Sequence, residues 1–251
     1  MKIGVFDSGV GGLSVLKSLL DSNLFSEIIY YGDTARVPYG NKDKGTIVRF
    51  SLECVDFFIP HKIDMLIVAC NTVSAYALNQ MQKIAPFPII GVVESGVLSL
   101  SNKIKNKKDS ILIIATKATI QSGVYEKNLR KLGYENIISL QTGLFVPLVE
   151  EGIVEGEILE ATFRYYFGER FKGTNAPNAI ILGCTHFPLI QDSIKIFFDN
   201  KPILIHSGEA IVEFLKQKYT LSSSPKLPKV YFYASGDKST LESYAKLWLN
   251  S

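Results

Sequence analysis

Short β-forming runs alternate with segments of helical period from the first residues of the chain to the last. Such alternation specifies an α/β protein with mostly parallel sheets, because each strand needs a helical crossover before the next can run in the same direction. Candidate strands lie at 3–6, 27–31, 64–69, 88–93, 110–115, 137–140, 179–183, 202–206 and 229–234. Candidate helices lie at 12–21, 42–58, 73–84, 119–132, 155–171, 188–198, 209–219 and 238–249. Gly133 is a natural stop for the fourth helix, and Ser207 and Asp237 read as caps for the last two. Nine strands exceed one comfortable sheet, and 251 residues permit two domains. With 47% hydrophobic and 20% charged residues the composition is that of an ordinary globular protein.

A weak internal repeat agrees with a division into two. Glu27-Ile28-Ile29 leads to Val37-Pro38, and Asn136-Ile137-Ile138 leads to Val146-Pro147 at the same offset, while Cys70 and Cys184 recur at nearly that offset. The expectation is two similar α/β domains, each a mostly parallel sheet flanked by helices, facing an active-site cleft with loops from the carboxyl ends of the strands. The last strand and last two helices have no counterpart in the first half and are expected to fold back onto it. The domains would then be 1–94 with 208–251, and 95–207. Loops at 31–41 and 141–152 are longer than the rest, where binding groups tend to collect.

Two apolar runs end on a cysteine followed at once by polar side chains: Ala69-Cys70-Asn71-Thr72 and Gly183-Cys184-Thr185-His186. One thiol at a strand end could be filler. Two, delivered from similar junctions in the two halves, read as reagents approaching one substrate from opposite sides. Cys54 differs, since its helical spacing with Ile47, Phe50, Phe57 and Phe58 makes it a core residue. His186 is placed to favour a thiolate at Cys184 or to relay its proton, whereas His61 reads as surface and His206 as structural. Asp7-Ser8-Gly9-Val10-Gly11-Gly12 follows the first strand, with glycines that let backbone approach a ligand closely. Asp7 can orient or deprotonate a substrate group and Ser8 can hydrogen-bond one, but Ser14 stands where a dinucleotide fingerprint needs its third glycine. Asn71 and Thr72 can supply donors to a carboxylate. Of the pair Glu150-Glu151, one acid could serve Cys184 as Asp7 serves Cys70, the alternative being an exposed pair.

A thiolate and a thiol across one cleft match inversion at a carbon acid, where one removes a proton from one face and the other returns a proton to the opposite face. Without a cofactor, the site must exclude water and stabilise the carbanion electrostatically. No cofactor is expected, and no pyridoxal-lysine motif is evident. A Cys-His hydrolase would instead use Cys184 with His186 and leave Cys70 dispensable, and a small-ligand binder would need neither thiol. The three cysteines and three histidines contain no Cys-x-x-Cys or His-x-x-x-His, which speaks against a metal. Net charge is only +3, and the basic stretch at 103–108 lacks interleaved aromatics, so it reads as a solvated helix end and not as a nucleic-acid surface. No run approaches the roughly 20 apolar residues of a membrane span, and the first residues lack the pattern of a signal peptide. The expected compartment is the cytoplasm, with all thiols reduced.

Five blocks, Asp7 to Leu13, Asp33 to Gly40, Ala69 to Thr72, Thr142 to Glu150 and Gly183 to Leu189, resemble in order the signature blocks of the glutamate racemase family, within the aspartate/glutamate racemase superfamily. The resemblance implies interconversion of L- and D-glutamate for peptidoglycan synthesis, commonly by a homodimer. It implies that Cys70 handles the proton on the D side with Asp7 as partner, and that Cys184 handles the L side supported by Glu150 and His186. The substrate-binding positions it implies are Asp7, Ser8, Tyr39, Gly40, Asn71, Thr72, Thr185 and His186, with Thr116 and Thr119 as further candidates near the edge of the second sheet.

Overall fold

The structure, a computed structural model, describes residues 1–171, 175–220 and 227–249. The parts of the expected domain ranges at 172–174, 221–226 and 250–251 lie outside these. The strands are β1 (Lys2–Asp7), β2 (Glu27–Gly32), β3 (Met65–Val68), β4 (Ile89–Gly91), β5 (Ile111–Ala115), β6 (Ile137–Gln141), β7 (Ala179–Gly183), β8 (Ile203–Ile205) and β9 (Lys229–Ala234). They form two sheets of parallel strands, ordered β4-β3-β1-β2-β9 and β6-β5-β7-β8. Central strands such as β3, β5 and β7 are buried along their whole length, as expected for parallel strands covered on both faces. At the edge, β9 instead alternates exposed and half-buried residues.

The strand order places the site. In the first sheet β2 lies on one side of β1 and β3 on the other; in the second, β6 and β7 flank β5 in the same way. The order therefore reverses beside β1 and beside β5, and the loops leaving those strand ends diverge to open a crevice. Cys70 follows β3 and Cys184 follows β7, each at such a reversal. The sequence repeat falls on equivalent places, with Ile28 in β2 and Ile137 in β6.

The helices are α1 (Leu13–Asp21), α2 (Lys44–Phe58), α3 (Asn71–Tyr76), α4 (Leu78–Ile84), α5 (Val92–Lys103), α6 (Lys117–Gln121), α7 (Val124–Lys131), α8 (Phe145–Glu150), α9 (Glu157–Tyr166), α10 (Gln191–Phe197), α11 (Ser207–Lys218) and α12 (Lys238–Leu249). Several depart from the sequence reading. The stretch expected as one helix at 119–132 is two, because Gly123 sits at φ +64°, outside helical geometry. The region 73–84 likewise breaks at Ala77. Helix α5 begins where a strand was expected to continue to Val93, and α8 occupies much of the expected loop 141–152. The cap of α11 is His206, whose Nδ1 accepts from the backbone N–H groups of Gly208 (2.8 Å) and Glu209 (3.3 Å), and Ser207 is already helical. His61, expected on the surface, is half-buried beside Phe57 and Tyr233.

One hydrophobic core runs through both halves, joining Ile3, Val5 and Leu16 to Leu112, Phe145 and Leu182. Separate clusters cover the other faces: Phe6, Cys54, Phe58 and Val68 for the first sheet, and Val97, Ile113, Tyr125 and Ile181 for the second. Cys54 is 1% exposed there. Helices α5 and α11 pack on each other, and both expected domain boundaries fall within them. Among the described residues, no helix is long and apolar enough to cross a membrane, and no group of three acidic, His or Cys side chains is placed to hold a metal.

Candidate active site

The loops from both sheets line a cavity of about 520 Å³ whose wall includes Ser8, Tyr39, Gly40, Cys70, Asn71, Thr72, Thr116, Glu150, Cys184, Thr185 and His186. Residues from both halves thus meet in one space. Cys70 is 5% and Cys184 7% exposed, and all three cysteines are free thiols. Asp7 and Thr119 do not reach the wall. Thr119 lies behind it, in a triad of hydroxyls with Thr72 (2.9 Å) and Thr116 (3.1 Å), and Thr72 and Thr116 are themselves 3.1 Å apart. This triad ties the first turn of α3 to the start of α6 in the other half.

Asp7, at the end of β1, is 1% exposed. Its carboxylate accepts from Gly9 N–H at 2.9 Å and from the Thr185 hydroxyl at 3.5 Å. The Cys70 thiol meanwhile donates to Ser8 Oγ at 3.3 Å. The hydrogen bonds of Asp7 thus go to the loop before α1 and to the residue after Cys184, while its expected partner Cys70 bonds Ser8. Burial raises the Asp7 carboxyl above the usual range, and the nearby His186 works against that rise. Glycines allow this approach: a Cβ on Gly11 would collide with Thr185 and His186, and one on Gly12 would stand 2.5 Å from Asp7 Cβ.

The two thiols have unequal surroundings. Burial, followed by the Asp7 charge, pushes Cys70 up to about 12. Cys184 Sγ lies 3.7 Å from His186 Nδ1, and His186 Nε2 lies 2.9 Å from Glu150 Oε1. Burial alone would depress the His186 imidazolium, but its bonds to Cys184 and Glu150 outweigh that and hold it at about 10. Glu150, expected at a loop end, is the last residue of α8, which aims it at His186; both it and Glu151 are exposed. Helix α12 closes this side, since Tyr244 Oη donates to the Glu150 carbonyl at 3.0 Å and Trp248 meets the His186 ring edge-on.

Other contributors escaped the sequence reading. Val37, Pro38, Leu144, Val146, Pro147 and Tyr166 give the cavity an apolar rim. Two Val-Pro pairs of the internal repeat lie in it, so the repeat was a signal for the rim. Asp33, fully buried at the end of β2, accepts from Tyr39 Oη, Ser235 Oγ (2.6 Å) and Arg36 Nε (2.7 Å), and so fixes Tyr39 in the wall.

This geometry, two thiols from two parallel α/β halves facing one cavity, can be set beside known proteins. Residues 11–215 match the family described as Asp/Glu/Hydantoin racemase, and the chain belongs to that family of isomerases. At the level of single proteins it is 57% identical over 256 residues to a glutamate racemase of Helicobacter pylori (strain G27), covering 99% of each chain. The crystal structure of a glutamate racemase from Campylobacter jejuni superposes with TM-score 0.97 at 56% identity, over 100% of this chain and 98% of that one. A Francisella tularensis glutamate racemase in complex with D-glutamate gives TM-score 0.85 at 35% identity, over 100% of this chain and 94% of the other.

Proposed function

We propose that this chain interconverts L- and D-glutamate by Cα proton transfer between Cys184 and Cys70, without a cofactor. The carrying observation is the pair of thiols, one from each half, in a single cavity, Cys70 bonded to Ser8 and Cys184 beside His186. The names of the relatives support glutamate as substrate. With L-glutamate bound, a Cys184 thiolate beside the His186 imidazolium takes the Cα proton. The protonated Cys70 then delivers its own proton to the opposite face, which yields D-glutamate. The reverse direction exchanges the roles. After product leaves, Cys184 gives up its proton and Cys70 regains one from solvent, so the protons balance. Donors from Ser8, Asn71, Thr72 and Thr185 surround the substrate, and as fixed dipoles they stabilise developing charge without having to reorganise. Glu150 holds His186 in its charged form. Asp7 and Thr119 act from behind the wall.

On this reading the sequence ranges 1–94 with 208–251, and 95–207, are two domains that part to admit substrate. The resemblance supports a cytoplasmic homodimer that supplies D-glutamate for peptidoglycan. The test is incubation of each glutamate enantiomer in deuterated water without added cofactor. Deuterium at Cα of the inverted product is expected, and inversion with no Cα label would eliminate the mechanism. Full activity in Cys70→Ala would point to the Cys184-His186 hydrolase geometry instead.

A further inference from the structure

Tyr125 stands on the first turn of α7, in the second half, and is 3% exposed. Its ring passes between α5 and the end of β7, with Oη 3.5 Å from where a Cβ on Gly96 would stand and Cε2 3.5 Å from one on Gly183. The phenol crosses to the first half and donates to Asn71 Oδ1 at 2.6 Å, a short hydrogen bond. Asn71 is 2% exposed, opens α3 directly after Cys70, and forms part of the cavity wall. Its Nδ2 donates to Ser207 Oγ at 3.4 Å, and Ser207 in turn donates to the Leu182 carbonyl on β7 at 3.4 Å. A buried chain of hydrogen bonds therefore runs from α7 through Asn71 to α11 and the strand that carries Cys184.

We propose that Tyr125 is a positioning residue for the racemase site: it fixes the orientation of the Asn71 amide, so that the remaining N–H of Asn71 is offered to the substrate. An asparagine side chain has a carbonyl end and an amino end of nearly the same shape, and only its partners decide which way it faces. With Oδ1 held by the phenol and one N–H on Ser207, the second N–H is what Asn71 has left to give. Burial, and then the charge of Cys184, raise the phenol above its ordinary range, so it stays protonated and able to donate. The hydroxyl triad of Thr72, Thr116 and Thr119 anchors the same turn of α3 independently. Loss of the phenol hydroxyl therefore frees the amide without detaching the helix.

This inference rests on the proposed glutamate reaction, and its test separates the two. Tyr125→Phe lowers kcat/KM for both enantiomers by about tenfold, the scale of one buried hydrogen bond lost. Both directions must fall together, since the equilibrium constant between enantiomers is unity. In an Asn71→Ala background the same substitution has no further effect on kcat/KM, because the residue through which it acts is gone. Parent-like kcat/KM in Tyr125→Phe overturns the proposal whether or not the melting temperature falls. So does an equal loss in both backgrounds. If the parent racemises neither enantiomer, the functional reading fails, and the positioning is read without substrate from the rate at which iodoacetamide alkylates Cys70, mapped by peptide mass. A several-fold change in that rate in Tyr125→Phe upholds the role, and an unchanged rate overturns it.

Discussion

Cys70 and Cys184 carry the same atom into different fields, and single substitutions separate them from Cys54. Cys70→Ser or Cys184→Ser is expected to lower kcat by at least about 10²–10⁴-fold, the usual share of a positioned acid or base. Cys54→Ser should leave kcat near that of the parent and cost about 1–3 kcal/mol in denaturant unfolding, because it buries a hydroxyl in an apolar cluster. His186 gives the pH dependence. Its value of about 10 in the folded protein lies above the ordinary imidazole value of about 6.5, so its contribution to stability is complete below pH 6.5 and is lost as pH rises toward 10. The unfolding free energy of the parent relative to His186→Asn should therefore shrink between pH 6 and pH 9.5. A difference that is flat or grows would contradict the charged imidazolium. At this scale the sequence showed the residues that sit in contiguous strand-end motifs, namely Asp7, Cys70, Asn71, Cys184 and His186. It did not show Tyr125 or Asp33 in these roles, because their meaning lies in partners brought near only by the fold.

Among elements, each of the nine β-rich runs holds a strand, the fourth ending early at Gly91 where α5 begins, and the other misreadings are helical. Helix α8 was hidden by Pro147, which breaks a helix interior but is tolerated in the first turn, where it lies. Helix α5 opens on Val92-Val93 and contains Gly96 and three serines, so its propensity is poor; packing on α11 holds it in place. The missed break at Gly123 has a measurable counterpart. Its φ of +64° and empty surroundings mean that Gly123→Ala meets no clash but forces a left-handed backbone on an L-residue. The expected cost is about 1–2 kcal/mol in chemical denaturation. An unchanged midpoint would mean that α6 and α7 can join as the single helix first read from the sequence.

For the whole molecule, the two sheets share one continuous core, yet their facing loops meet through polar contacts: the threonine triad, Asn71 with Tyr125 and Ser207, and Asp7 with Thr185. A substrate bridging those loops stabilises the assembled form. D-glutamate at 100 times its Kd should add about 2.7 kcal/mol to unfolding free energy, read as a rise in melting temperature. L-glutamate should do the same, and a melting temperature indifferent to both would rule out binding in the cavity. The two-sheet plan was legible because apolar runs and crossovers are local. The pairing of the facing loops was not, because the contacts that join those loops are single polar side chains far apart in the chain.

One of the two edge strands of the first sheet, β9, comes last in chain order among the described strands. During synthesis the second sheet has all its strands once residue 205 has emerged, whereas the sheet begun first waits for 229–234. The usual order, in which N-terminal units finish folding first, is thereby inverted. A nascent chain paused near residue 220 would carry a complete Cys184 sheet and a Cys70 sheet with the edge of β2 still open. Until residues 229–234 emerge, that edge is the place where a second nascent chain could pair.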